Sequence, residues 1–375
     1  GGCRVSAGAW LELALRPAAG PGTVMSLVAE LGSVAAVAAA DVDTLMASGL
    51  SLRRAHRFVE PVPLELRRRT EAWLERSGGR VVTPADPSYP PALHEIADPP
   101  LALFVVGDAD YLAWPGVAVV GSRRPTPAGR ELAEELGRGL ARSGLVVVSG
   151  LALGVDGAAH RGAAAVGGPT VGVLGCGPDR IYPRRNVELA EAVAGAGAVI
   201  TEFPPGTGVA RGHFPRRNRI IAGMTLGTTV VEAATRSGSL ITARLAAEAG
   251  REVLAVPGPV RSPTSRGCHR LIREGARLVE GVDDILEEVA PGVAAAAPAA
   301  TGEEVAAGPS QELEPEAQRL LGCLGFEPES VDNLVERSGL TADTVSAMLI
   351  RLELQGVVES APGGRFSRVA TGARP

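Results

Sequence analysis

The sequence predicts an α/β protein in which a doubly wound parallel sheet is flanked by a small N-terminal helical domain and a C-terminal winged helix. Three observations carry this prediction. Between residues 84 and 290, near-continuous apolar runs of strand length alternate with segments of helical length, the pattern of a parallel sheet covered on both faces. Residues 1–80 show only helical apolar spacing. Residues 313–370 read as helix, helix, glycine turn, helix and a glycine-tipped hairpin. A chain of 375 residues exceeds what one hydrophobic core organises, in keeping with this division.

From Trp10 to about Leu74 the helical spacing is broken at Gly20 to Gly22, Gly32 and Gly49. The 1–80 segment is thus a bundle of short helices: a structural cap or protein-contact module, or else a DNA binder of the sterile-alpha-motif or helix-hairpin-helix kind. No convincing glycine hairpin appears, which favours the first reading. Pro84 to Pro100, with its two proline pairs, marks a boundary. The runs Leu103–Val106, Val117–Val120, Leu145–Val148, Thr170–Leu174, Ala198–Thr201, Thr228–Val231 and Glu252–Val256 then define an extended Rossmann-like domain over 84–290. Residues 291–312 are alanine, proline and glycine with almost no bulky apolar side chain, so they form a linker.

In the winged segment the expected helices are Pro315–Gly322, Val331–Ser338 and Ala342–Gln355, followed by strands at 356–360 and 365–367 around Pro362-Gly363-Gly364. From Leu313 onward there are nine acidic residues against six arginines, a poor balance for tracking phosphates. The candidate recognition helix offers only Thr341, Thr344, Ser346 and Arg351 as polar readers. An accessory or protein-contact role is therefore expected ahead of sequence-specific DNA reading.

The formal net charge of −5 and pI near 5.7 argue against a nucleic-acid partner on average. The chain contains no lysine, however, so all 37 basic residues are arginine, the side chain that grips phosphate with a fork and stacks on bases. Without lysine there is no Walker-type phosphate loop, Schiff base or lysine general base. Cys3, Cys176, Cys268 and Cys323 show no metal or redox spacing and read as reduced thiols of a cytoplasmic protein. No apolar stretch reaches membrane-spanning length. The chain begins Gly1-Gly2-Cys3 without methionine, as expected of a sequence whose own start lies upstream or was processed.

The motifs sit at predicted strand ends. The first strand of the central fold leads into Gly121-Ser122-Arg123-Arg124-Pro125, with a helix beginning near Pro127. A glycine there lets an anion approach the backbone, the helix terminus presents free N–H groups, and Arg123 adds a fork. The segment is not G-x-G-x-x-G, and no acidic residue closes the second strand, which argues against a dinucleotide site. The second strand runs into Ser149-Gly150-Leu151-Ala152-Leu153-Gly154-Val155-Asp156, where Asp156 is placed to cap a helix and His160 follows as a structural histidine. Tyr182-Pro183-Arg184-Arg185-Asn186 and His213-Phe214-Pro215-Arg216-Arg217-Asn218-Arg219 follow the next two strands. Ligands of open α/β sheets collect at carboxyl strand ends, so these arginine groups are expected to converge with Arg123 into a local basic strip. Phe214 and Tyr182 are rings on which unpaired bases can stack. Ser237-Gly238-Ser239-Leu240-Ile241-Thr242-Ala243 opens another helix with small hydroxyls suited to capping, and Glu232 reads as structural because no second acid accompanies it.

Taken in order, G-S-R-R-P, S-G-L-A-x-G-V-D-x-x-A-H, Y-P-x-x-N, F-P-x-R-N-R-I-I-A-G and S-G-S-L-I-T-A resemble the DNA-processing protein A (DprA/Smf) family over roughly Pro84 to Leu286. The resemblance implies a non-catalytic protein without cofactor that binds single-stranded DNA, protects it and loads the recombinase RecA in natural transformation, with the central fold forming a homodimer. Carried over by position, the DNA contacts fall on Gly121, Ser122 and Arg123, on Arg184 and Arg185, and on Phe214, Arg217 and Asn218. Arg184 and Arg185 stand where lysine is common, which keeps the charge and changes the contact geometry. The fold also resembles the cytokinin-activating phosphoribohydrolases once labelled lysine decarboxylases. Where their P-G-G-x-G-T-x-x-E turn has its carboxylate this chain has Thr242, which cannot serve as that acid or base. A hydrolase and a nucleotide-sensing module are the alternatives.

Overall fold

The computed structural model describes residues 2–291, 315–324, 328–354, 357–361 and 363–368, divided into two compact units, 1–298 and 299–375. Apart from Pro291, the expected linker lies outside the described residues, as do Gln355 at the end of the third expected helix and Gly356 and Pro362 of the wing.

The first unit begins with helices α1 (Gly2–Leu15), α2 (Pro21–Leu31), α3 (Val34–Ala39), α4 (Val42–Ala47), α5 (Leu52–Phe58) and α6 (Leu64–Ser77). Gly32 and Gly49, at positive φ, end α2 and follow α4, where the sequence places breaks. Leu13, Val24, Leu27, Val37, Leu45 and Phe58 bury their apolar faces together with Leu101 from the boundary segment. Trp73 on α6 meets Phe104 edge to face at 5.7 Å between ring centroids, so the helices also share a core with the sheet.

The sheet strands are β1 (Arg80–Val82), β2 (Leu103–Gly107), β3 (Gly116–Gly121), β4 (Val146–Ser149), β5 (Thr170–Val173), β6 (Ala198–Thr201), β7 (Gly227–Val231), β8 (Glu252–Ala255) and β9 (Arg277–Leu278), in the order β1-β2-β6-β5-β4-β3-β7-β8-β9. From β6 to β9 all pairings are parallel, whereas β1–β2 and β2–β6 are antiparallel. The run at 103–106 therefore enters the sheet in the opposite direction to the other six. Its side chains are as buried as theirs, and burial does not encode direction.

Alternate residues feed two cores. Val117, Val119 and Val147 face α7 (Pro127–Arg142), α8 (Val155–Ala165) and α13 (Val282–Val289), while α9 (Val187–Ala196) packs beyond α8 over β5 and β6. Ala118, Val120, Val146 and Val148 face α10 (His213–Gly223), α11 (Ser239–Glu248) and α12 (Arg266–Arg273). The second unit contains α14 (Pro315–Cys323), β10 (Glu329–Ser330), α15 (Val331–Ser338), α16 (Ala342–Leu354), β11 (Val358–Ala361) and β12 (Arg365–Arg368). It is a winged helix with a sheet in the order β10-β12-β11 and a core of Leu320, Leu334, Val345, Leu349 and Val358.

Candidate nucleic-acid interface

The chain moves outward from β3 through β4 and β5 to β6, then returns to lay β7 on the other side of β3. Such a switch point leaves a crevice beyond the carboxyl ends of the strands. Gly121 ends β3 opposite Val231, and a Cβ there would lie 1.8 Å from the Val231 carbonyl oxygen, so only glycine fits. The loop that follows is pinned: the Ser122 carbonyl accepts from the Val155 N–H at 3.1 Å, and Ser122 Oγ accepts from the Arg124 N–H at 3.1 Å. Thr126 caps α7 by accepting from the Gly129 N–H at 3.0 Å.

At the crevice lies a cleft of about 500 Å³ lined by Gly121, Ser122, Arg123, Phe214, Arg217 and Asn218, six of the eight residues singled out by sequence. Arg123 is exposed, with its guanidinium carbon 5.6 Å from the Phe214 ring centroid, a cation–π distance. On the same ring, the exposed Tyr182 has its centroid 5.9 Å away. Arg184 and Arg185, also exposed, follow Tyr182 in a short 3-10 turn and do not line the cleft. Buried Asn186 anchors that turn, its Nδ2 donating to the carbonyls of Leu151 at 2.8 Å and Ala152 at 3.2 Å. Sequence spacing missed Asn186 as an anchor, although it closes the Y-P-x-x-N motif.

Arg217 differs from its neighbours. Only 5% of it is exposed, and its Nη1 donates to the Gly150 carbonyl at 2.6 Å and to the Val173 carbonyl, while Nε reaches Asn218 Oδ1 at 3.1 Å. Burial pulls its pKa down to about 10 against the favourable charge of Asp156. Asp156 is not the helix cap the sequence suggests: Gly154 holds the N-cap position of α8, and Asp156 turns inward to accept from the Gly150 N–H at 3.2 Å. Burial pushes its carboxyl pKa up, and Arg217 opposes the shift. Arg217 and Asp156 thus form a buried polar floor beneath the cleft.

Arg216 and Arg219 are drawn elsewhere. Glu202, buried after the end of β6, accepts from Arg216 at 3.0 Å and from both terminal nitrogens of Arg219 at 3.0 and 2.8 Å. Arg219 also reaches Asp98 at 3.2 Å, and Asp98 accepts from the Gly22 N–H at 2.9 Å, which ties α10 to the N-terminal helices. The strip is therefore narrower than the arginine count implies, because Arg216 and Arg219 are neutralised locally.

The far wall brings in Arg236, Ser237, Ser239 and Thr242. Gly238 occupies the N-cap of α11 with no side-chain cap, and the Ser237 and Ser239 hydroxyls bond each other at 2.7 Å. The hydroxyls expected to cap the helix thus line the cleft instead. Exposed Arg236 is a cation the motif reading passed over; its place just after a strand end was the available signal.

Two further titratable side chains near the cleft are held by local partners. His160 is fully buried, 2.8 Å from Thr170 Oγ1, and burial drops its pKa to about 3, so it stays neutral at physiological pH. The Glu232 carboxylate accepts from Thr126, from the N–H at 2.9 Å and from the hydroxyl. Among the described residues no group of His, Cys, Asp and Glu is placed to hold a metal ion, and no helix is long and apolar enough to cross a membrane. At its mouth the cleft presents an exposed guanidinium beside two rings, groups suited to anion binding and ring stacking.

Residues 80–290 match the family model of the DNA recombination-mediator protein A, and residues 304–364 match the DprA winged helix domain. The chain is 40% identical over 325 residues to protein Smf of Escherichia coli (strain K12), covering 86% of each chain. It is 47% identical over 203 residues to the DNA processing protein DprA of Streptococcus pneumoniae, covering 54% of this chain and 72% of that one. The X-ray structure of the pneumococcal protein superposes with a TM-score of 0.62 at 38% identity, over 74% of this chain and 96% of that one. A DprA structure from Helicobacter pylori, determined to describe that protein's single-stranded DNA binding mode, superposes with a TM-score of 0.52 at 30% identity, over 56% of this chain and 95% of that one. Since the first family model spans more than half of the sequence and the Escherichia coli relative aligns over 86% of each chain, the chain belongs to the DNA recombination-mediator protein A family, DprA/Smf.

Proposed function

We propose that this chain binds single-stranded DNA along the carboxyl edge of its sheet, without catalysing a reaction, and hands the strand to a RecA-type recombinase. The observation that carries the reading is the run Arg123, Phe214, Tyr182 at the mouth of the switch-point cleft, with Arg184 and Arg185 just beyond. A guanidinium holds phosphate, and exposed rings accept bases that have no partner strand. Gly121, Ser122 and Asn218 supply small polar surface to the backbone of the strand, and Arg217 lends charge from below rather than a direct fork.

The recombination-mediator family supplies the RecA context, and a homodimer acting in the cytoplasm is part of the proposal. The winged unit is read as an accessory module: Thr341 and Thr344, two of its four candidate readers, bond each other at 2.7 Å.

A gel-shift series comparing single strand, duplex and mononucleotide tests this. Single strand is retained in preference to duplex, with a log–log salt slope of about 0.7 per phosphate contacted. Duplex preference or salt-insensitive binding overturns the reading. Nucleoside monophosphates incubated with the protein yield no free base by chromatography; release abolished by Glu232→Ala would favour a hydrolase instead.

A further inference from the structure

A helix that starts with threonine is often closed by a reciprocal pair. The threonine hydroxyl accepts from the N–H three residues on, and a glutamate at that third residue accepts from the threonine N–H. Here the first half is present, Thr126 Oγ1 accepting from the Gly129 N–H at 3.0 Å, but the third residue is glycine and has no side chain to return the bond. The missing carboxylate arrives from the end of the neighbouring strand, β7. Glu232 accepts from the Thr126 N–H at 2.9 Å and from the Thr126 hydroxyl, bonds that span 106 residues of sequence.

Two features mark this as built. Glu232 has φ of 52°, in the left-handed region that non-glycine residues rarely occupy, and such strain persists only where the surroundings hold it. A Cβ on Gly129 would lie 2.5 Å from Glu232 Oε1 and 2.6 Å from its carboxyl carbon, so glycine at 129 is the space the carboxylate fills.

The loop that carries Arg123 is then held at both ends by consecutive residues of one strand end. Gly121 pairs with Val231, and Thr126 is gripped by Glu232. We infer that Glu232 is a positioning residue: it completes the cap of α7 from the end of β7 and so holds Arg123 over Phe214 at the mouth of the cleft. This rests on the proposed role of Arg123 in binding DNA. It also gives a use to a carboxylate that, engaged in this way, is not poised as an acid or base.

The test uses the full chain with Glu232→Ala, Arg123→Ala, the pair combined, and Glu232→Ala with Gly129→Glu, which rebuilds the cap locally in the space the first change vacates. Binding of oligo(dT) weakens about tenfold in Glu232→Ala, and its salt slope falls by about 0.7, as in Arg123→Ala. In the Arg123→Ala background, Glu232→Ala causes no further loss. Gly129→Glu restores binding, and with it the hydrogen-exchange protection of the Thr126 amide. Unchanged affinity in Glu232→Ala, or an equal further loss without Arg123, overturns the inference while leaving the DNA reading intact. Wild-type binding in Arg123→Ala sinks the DNA reading instead. Amide exchange at Thr126, measured without DNA, still judges the cap, and protection unaltered in Glu232→Ala refutes it.

Discussion

The guanidinium of Arg217 donates to the carbonyl of Gly150 across 2.6 Å and to that of Val173 on the neighbouring strand, so a residue that looks like a surface phosphate fork is a brace between two strand ends. Arg217→Ala strips two buried carbonyls of their donor and leaves Asp156 buried without its counter-charge, which destabilises the fold by about 3 kcal/mol. Arg217→Lys recovers only part, because one ammonium cannot reproduce the planar fork. Urea unfolding measures both, and a variant as stable as the parent would contradict the brace.

Phe214 stands between Arg123 and Tyr182 and is half-buried. Phe214→Ala lowers affinity for single strands by about 1–3 kcal/mol, the worth of a stacked base, while Phe214→Trp retains it. Fluorescence anisotropy with a labelled oligonucleotide reads the difference, and equal affinity in the alanine variant would remove the ring from the interface.

How much of this was legible beforehand follows from which physical signal each residue sends. The parallel strands announce themselves because burial on both faces demands unbroken apolar runs, and β3, β4, β6 and β7 appear within a residue or two of where the runs lie. The two-residue β9 is exposed at an edge, and β1 has one buried residue of three, so neither imposes a pattern. In the arginine block the failure is geometric. Arg216 and Arg217 differ by about 100° around a helix, and only the fold says that one turns to Glu202 while the other points under the sheet. Glu202, Asp98 and Glu232 act across 14 to 121 residues of sequence, beyond the reach of any local motif.

Burial keeps His160 neutral down to a pKa of about 3, against 6.5 for a free histidine. Between these values the unfolded chain binds a proton that the folded chain rejects, so stability falls as pH drops through that window, by about 1.4 kcal/mol per pH unit at most. Asp156, with its raised pKa, acts in the opposite sense: the folded chain holds a proton more readily than the unfolded one, and that contribution is lost as pH rises. Comparing the parent with His160→Asn, which keeps a donor towards Thr170, isolates the histidine. The parent loses stability relative to the variant as pH falls from 6.5 to 4, and parallel urea-unfolding curves would refute the assignment.

Glu202 is 4% exposed at its side chain and serves Arg216 and Arg219 together. Glu202→Ala leaves the poorly exposed Arg219 with only Asp98 for a carboxylate and costs about 3–5 kcal/mol. Because Asp98 also holds Gly22, early proteolysis within the N-terminal helices accompanies the loss. Trypsin cleavage timed against the parent checks it, since arginine supplies every tryptic site in this lysine-free chain.

The contact of Gly121 with the Val231 carbonyl divides the cleft into a part that tolerates change and a part that does not. No side chain can be grafted onto Gly121 without prising two paired strands apart, so a homologue or a designed variant with altered ligand preference has to achieve it from the wall, at positions such as Arg236, Ser237 and Asn218. Randomising that wall while leaving the glycine alone is the productive library.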